Sequence, residues 1–306
     1  MTILVELAAA AVAGLVIALV TAIVERLGPV IGGVLGCVPH VAVVGSIGFI
    51  LQTASSDEFR IAMLSMPLGM LCNSFFFLGV RIASLLPNCD AKAPMGRLVL
   101  CLVCGALGYA GGLAAIMLGL RPKEQSMAIA WLAAAAAFVL ELLVGLLLMY
   151  LSLCDAKPGA KPRSSCKVLV ARGLATFCVM LTAMALARSL PALAGILANL
   201  PVVPVMVVAI LWIGYGEEVA LGALGPMTIG MLSAAAYAML ASELMLLWHP
   251  ALGCVVSWLV SVAVITKPTL MILQHIDQKS KEPPEVAYDS AKARSDVSSD
   301  GSNSSC

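Results

Sequence analysis

Nine runs of roughly twenty apolar residues, separated by short polar turns, fill the chain up to about residue 267: 3–24, 30–52, 61–83, 98–120, 127–153, 168–187, 191–213, 219–241 and 244–266. At 1.5 Å per residue, a helix of about twenty apolar residues spans a hydrocarbon layer about 30 Å thick. The runs are apolar on every face and do not alternate in twos, which predicts membrane helices and not a barrel. The expected fold is an all-α integral membrane protein of about nine transmembrane helices. Two runs carry a proline near their middle, Pro39 and Pro201. Proline lacks a donor and clashes with the carbonyl four residues earlier, so both helices should break there.

Composition agrees with this pattern. Of 306 residues, 61% are hydrophobic and 11% charged, and mean hydropathy is +1.03. These values exclude a soluble domain, a disordered chain and a nucleic-acid binder. A net charge of +1 leaves no global field to attract an acidic partner. Of the ten cysteines, most lie inside apolar runs and read as small buried hydrophobes. Cys101 and Cys104 form a lone C-x-x-C with no second pair, so no metal site is expected. No P-loop, H-E-x-x-H or nucleophile elbow is present, and no run contains an Asp. The chain therefore reads as a non-enzyme without a cofactor.

The first run lacks a basic n-region and carries Glu6, which fits an uncleaved span. With nine spans, Arg60, Arg121, Lys123 and Arg188 fall on the side of the N-terminus. Eleven basic residues, among them Arg26, Arg81, Arg97, Lys157 and Lys267, fall on the other. The positive-inside rule then puts the N-terminus outside or lumenal and the C-terminus in the cytosol. Beyond Lys267-Pro268 the chain turns polar and Ser-rich, and residues 268–306 are expected to form a disordered cytosolic tail.

An internal repeat is visible. Pro29 to Pro39 aligns with Pro191 to Pro201 at a spacing of 162, with both prolines, a glycine and a leucine in register. Arg26 aligns with Arg188, Gly69-Met70-Leu71 with Gly230-Met231-Leu232, and the acidic turn Asp57-Glu58 with Glu217-Glu218. The units are 1–126 and 154–267, joined by a central helix at 127–153. Four crossings followed by a fifth start the second unit on the opposite face, so the two four-helix repeats are expected to be inverted. Inverted repeats are a common plan of secondary transporters.

Several residues are candidates for a site at mid-depth. Breaks at Pro39 and Pro201 would leave half-helix ends and carbonyls able to hold an ion or solute, with a packing kink as the alternative. Asn73 and Asn199 need partners in lipid, as interhelical clamps or as ligands. His40 follows Pro39 and is either a proton relay or a neutral imidazole bonded to a freed carbonyl. Glu141 stands at the centre of the apolar run 127–153. A central acid costs roughly 2.5–3.5 kcal/mol to insert, so it carries a proton or meets a cation, a His or water. A direct pair with Arg172 requires tilt or a broken helix.

The repeated element, Gly33 to Pro39 and Gly195 to Pro201 with the acidic turn after each, resembles GlpM-like proteins, small four-span bacterial inner-membrane proteins. The resemblance covers two spans per repeat and implies a fused duplication. It brings no biochemical role for any residue. The functional expectation is a secondary transporter of a small solute or ion. The alternatives are a non-transporting membrane scaffold and a lipid-acting membrane enzyme. The expected partners are the lipid bilayer and the solute or ion, with no nucleic acid; a homo-oligomer is compatible with the apolar surface.

Overall fold

The computed structural model describes residues 2–24, 34–35, 38–86, 94–120, 126–153 and 166–281. Among them there is no strand. The helices are α1 (Thr2–Val24), α2 (His40–Gln52), α3 (Ser56–Leu64), α4 (Met66–Ser84), α5 (Pro94–Leu120), α6 (Met127–Leu153), α7 (Cys166–Ala187), α8 (Pro191–Leu197), α9 (Val202–Tyr215), α10 (Glu217–Leu247), α11 (Pro250–Ser261) and α12 (Lys267–Lys281). Six stretches are long and apolar enough to cross a membrane: Ser56–Ser84, Met95–Gly119, Met127–Leu151, Leu169–Ala187, Glu217–Leu247 and Pro250–His275. Of the other three predicted runs, 3–24 corresponds to α1 (Thr2–Val24), and 30–52 and 191–213 hold the shorter apolar helices α2 (His40–Gln52) and α9 (Val202–Tyr215).

The two prolines act as their chemistry requires. Pro39 (φ −71°, ψ 38°) and Pro201 (φ −73°, ψ 30°) stand in the same conformation just before α2 and α9. The hydrogen bonds around them also coincide in register. His40 donates to the Val38 carbonyl at 2.7 Å and Val202 to Leu200 at 2.8 Å; Val43 donates to Pro39 at 3.0 Å and Val205 to Pro201 at 2.9 Å. Upstream, Val38 donates to Leu35 at 3.3 Å and Leu200 to Leu197 at 3.0 Å. One backbone solution thus occurs twice, 162 residues apart.

Two of the six long stretches form the centre. Ser56–Ser84 is 83% buried and Glu217–Leu247 is 89% buried, whereas the other four are 17–28% buried. Their outward side chains, such as Leu107, Leu118, Leu132 and Val264, are apolar and exposed, as a lipid-facing surface requires. The central pair is antiparallel. Arg60, near the start of Ser56–Ser84, meets Glu243, near the end of α10, at 3.0 Å. At the other end Arg97 donates to the Ser84 carbonyl at 2.8 Å and pairs with Glu217 at 2.9 Å. The two acidic turns therefore lie at opposite ends of the central pair.

Glycines set the closest approaches. A Cβ on Gly14 of α1 would stand 2.5 Å from the Gly173 carbonyl oxygen of α7, and one on Gly173 would stand 2.9 Å from that of Gly14. Each helix fills the space left by the other's missing side chain, the small-residue contact that brings membrane helices together. Met180 and Met184 of α7 fill the space over Gly45 and Gly48 of α2 in the same manner.

Four element boundaries differ from the sequence reading. The run 219–241 extends as one helix to Leu247, and the next begins at Pro250 at its favoured N-terminal position, not at 244. The run 61–83 begins earlier, at Ser56, where Ser55 caps the helix by accepting from the Glu58 amide at 3.2 Å. It is interrupted at Ser65, and Pro67 opens the second segment; Pro226, in the run 219–241, lies inside a continuous helix. Finally, α12 carries the chain beyond Lys267-Pro268 to Lys281, after a π-turn at Val262–Thr266 in which the Lys267 amide reaches back to Val262. That turn accommodates Pro268, which cannot donate to the residue four before it. The chain divides into two compact units, Met1–Thr269 and one that begins at Leu270, whose described residues are helical as far as Lys281. Residues 25–33, 36–37 and 282–306, with Gly32, Gly33, Gly36, Arg26 and the distal tail, lie outside the described residues.

Candidate functional site

The Pro201 break is fastened to the central helix of the other half of the chain. Asn73 of α4 donates through Nδ2 to the Asn199 carbonyl at 2.9 Å. Asn199 donates in turn through its own Nδ2 to the Gly195 carbonyl at 3.1 Å and to the Met66 carbonyl at 3.4 Å. Close approach of the backbones makes this possible. A Cβ on Gly69 would lie 2.6 Å from the Ile196 carbonyl oxygen, and one on Gly195 would run into the Ala62 carbonyl. The expectation that both amides find partners in the bundle interior is met by this exchange. The Asn73 Oδ1 remains buried with no hydrogen-bond partner.

Glu141 reaches the same level from α6. Leu64 packs with Ala130 and Ala134, and the Arg81 guanidinium donates to the Leu151 carbonyl at 3.0 Å, so α6 runs parallel to Ser56–Ser84. One turn before Glu141, Ala137 packs with Leu68, Leu71 and Ile196. One turn after it, a Cβ on Gly145 would lie 3.0 Å from Ile229 Cγ1 and 3.4 Å from Thr228 Cγ2. Counting 1.5 Å per residue along these parallel elements sets the carboxylate level with Asn73 and with the Ala198–Pro201 break. Glu141 is 0% exposed, and neither carboxylate oxygen has a hydrogen-bond partner. It therefore makes no pair with Arg172, which is itself buried on α7.

Pro39 and His40 lie elsewhere. They begin α2, whose Ala42 packs with Met180 and Ala183 of α7 and with Ala10 and Ala13 of α1. His40 Nε2 is buried without a hydrogen-bond partner. No hydrogen bond among the described residues joins this group to Glu141, Asn73 and Asn199. Of the six candidates, Asn73, Asn199 and Pro201 meet at one break and Pro39 and His40 stand at the other, while Glu141 lies on α6 at the level of the first. Among the described residues no group of three or more His, Cys, Asp or Glu could hold a metal ion.

A second fastening escaped the sequence reading. Ser46 Oγ of α2 lies 2.6 Å from the Tyr237 hydroxyl of α10, and that hydroxyl lies 3.2 Å from Cys254 Sγ of α11. Ser46 also donates to the Val43 carbonyl at 2.8 Å. Tyr237 is fully buried. The helix that follows Pro39, α2, is thereby tied to α10, as Asn73 and Asn199 tie the Pro201 break to α4. Tyr237 lies about one turn from Ser233 toward the Glu243 end. Only its position in an Ala-rich run hinted at this, since its partners are 191 residues before and 17 after it. Tyr237→Phe is expected to cost about 1–2 kcal/mol by removing the hydroxyl that joins Ser46 and Cys254, read as a lower unfolding midpoint in detergent.

No protein-family model, curated protein or solved structure matches the chain. What is established is an all-helical protein with six helices of membrane-spanning length and composition among its described residues.

Proposed function

We propose that the protein is a secondary carrier for a small solute or ion, built from two inverted four-helix repeats around a central helix, 127–153. The observation that carries this reading is the paired helix break. The same torsions and the same three hydrogen bonds recur at Pro39 and Pro201, beside an antiparallel central pair. Broken helices placed symmetrically at mid-depth are the means by which carriers of this plan hold cargo and expose it alternately to each side.

In this reading all nine apolar runs cross the bilayer, with the N-terminus outside or lumenal and the C-terminus cytosolic. The halves correspond to a duplicated unit of the GlpM-like kind. The cargo contacts lie at the Pro201 break, where Glu141, Asn73 and Asn199 share a level. Alternating access rocks one half against the other, and the two polar fastenings open in turn. The Tyr237 tie lies toward the Glu243 end and the Asn73 tie nearer the middle, so they need not part together.

The test is flux through purified protein in liposomes. Ions and small neutral or zwitterionic solutes are screened with an imposed potential and an imposed proton gradient. Saturable flux above that of protein-free vesicles is expected. Absence of flux across the screen, together with a stoichiometric partner in mild-detergent purification, supports a scaffold instead.

A further inference from the structure

We infer that the ion coupled to transport is the proton, and that Glu141 is the group that carries it. This rests on the carrier reading above and gives that same site its coupling chemistry.

The argument begins with what surrounds the carboxylate. Both oxygens are sealed from solvent and neither accepts nor donates a hydrogen bond. An ionised carboxylate in such a place needs an opposite charge or several donors, because desolvation removes far more than packing returns. No Lys, Arg or His faces it from the elements packed on α6. From α4 the nearby polar and titratable groups are Cys72, Asn73 and Ser74, and Ser74 is already engaged with the Met70 carbonyl. From α10 they are Thr228 and Ser233, whose hydroxyls donate to the Leu224 and Gly230 carbonyls. From α3 and α8 no titratable side chain points to this level. Arg81 meets the α6 backbone at Leu151, ten residues or about 15 Å further along the helix.

A metal cation fits poorly. Hard cations take six or more oxygens at short range. Here one carboxylate stands at this level, and among the described residues no group of three or more His, Cys, Asp or Glu could hold a metal ion. A proton needs only one carboxylate oxygen, which Glu141 supplies. Glu141 takes up a proton from one side and yields it to water when rocking of the halves opens the other. Proton balance is simple: one proton taken up from one compartment, carried as the un-ionised acid, and released to the other.

The experiment is infrared spectroscopy of the full chain reconstituted in liposomes, titrated across neutral pH in water and in heavy water. Wild-type protein should show the carbonyl stretch of a protonated carboxylic acid in an apolar setting, shifted in heavy water. That band should be lost in Glu141→Gln. In Glu141→Asp it should move to a different frequency or titrate at lower pH, which keeps the result readable should the amide variant fold poorly. A wild-type protein without the band, or an unchanged band in Glu141→Gln, overturns the inference. The outcome is separable from that of the carrier reading. Flux without the band leaves a carrier coupled to something other than this proton. The band without any flux leaves a buried acid in a protein that does not transport.

Discussion

In Glu141→Gln vesicles, proton-driven flux should fall to the level of protein-free liposomes while expression and elution stay as in the wild type. Glutamine has the size of glutamate, so the packing of Ala137 and Gly145 on either side is kept. It also carries no ionisable proton, so a mechanism that moves one through this site stops. The stability of the variant should stay near that of the wild type, because an un-ionised acid is exchanged for a neutral amide of the same size in the same unpartnered place. Loss of flux with retained fold separates a working group from a packing group. Wild-type flux in this variant removes Glu141 from the mechanism.

The largest structural effect is expected at Gly195. A side chain there meets the Ala62 carbonyl and would lie 3.0 Å from Ser65 Cβ. Backbone cannot swing aside as a long side chain can. Gly195→Leu must therefore push α8 away from α3 and pull Asn199 from its contacts with Met66 and Asn73. Overpacking a core typically costs about 1–3 kcal/mol, and this site belongs at or beyond the top of that range. The expected result is protein that aggregates on size-exclusion chromatography or unfolds far below the wild type. Gly111→Leu is the control: nothing lies within 4 Å of a Cβ there, so its effect should stay within about 0.5 kcal/mol.

The features readable from sequence were those enforced by a single residue's chemistry. Pro39 and Pro201 each lack an amide hydrogen, whatever surrounds them, and a helix starts directly after each. Glu141 stands out because an acid amid leucines is rare, and it is fully buried. Features that depend on distant partners were not readable. Gly14 and Gly173 are two among 26 glycines, and only the crossing of α1 and α7 gives them a purpose. Ser46, Tyr237 and Cys254 come from three separate helices, and no spacing announces their meeting. Arg60 and Glu243 are likewise joined only by the antiparallel run of the central pair.

Element ends were misjudged where hydropathy and helix formation part company. Polarity rises after Lys267, yet α12 continues because a helix needs hydrogen bonds and not apolar side chains. His249-Pro250 sets the start of α11, and the intervening residues from 242 to 247 complete the preceding helix. Pro226 stays within a helix where Pro67 opens one. At that place Gly225 lets the α6 backbone at Met149 approach to 2.6 Å of its absent Cβ, and the neighbouring helix holds the segment straight.

The most direct test of the central claim is the sidedness of the two acidic turns. Single reporter cysteines at Ser56 and at Glu218, in a chain whose accessible native cysteines have been replaced, are labelled with a membrane-impermeant reagent before and after the membrane is opened. Inverted repeats require the two positions to label from opposite compartments. Labelling of both from the same compartment contradicts the inverted arrangement, and with it the carrier.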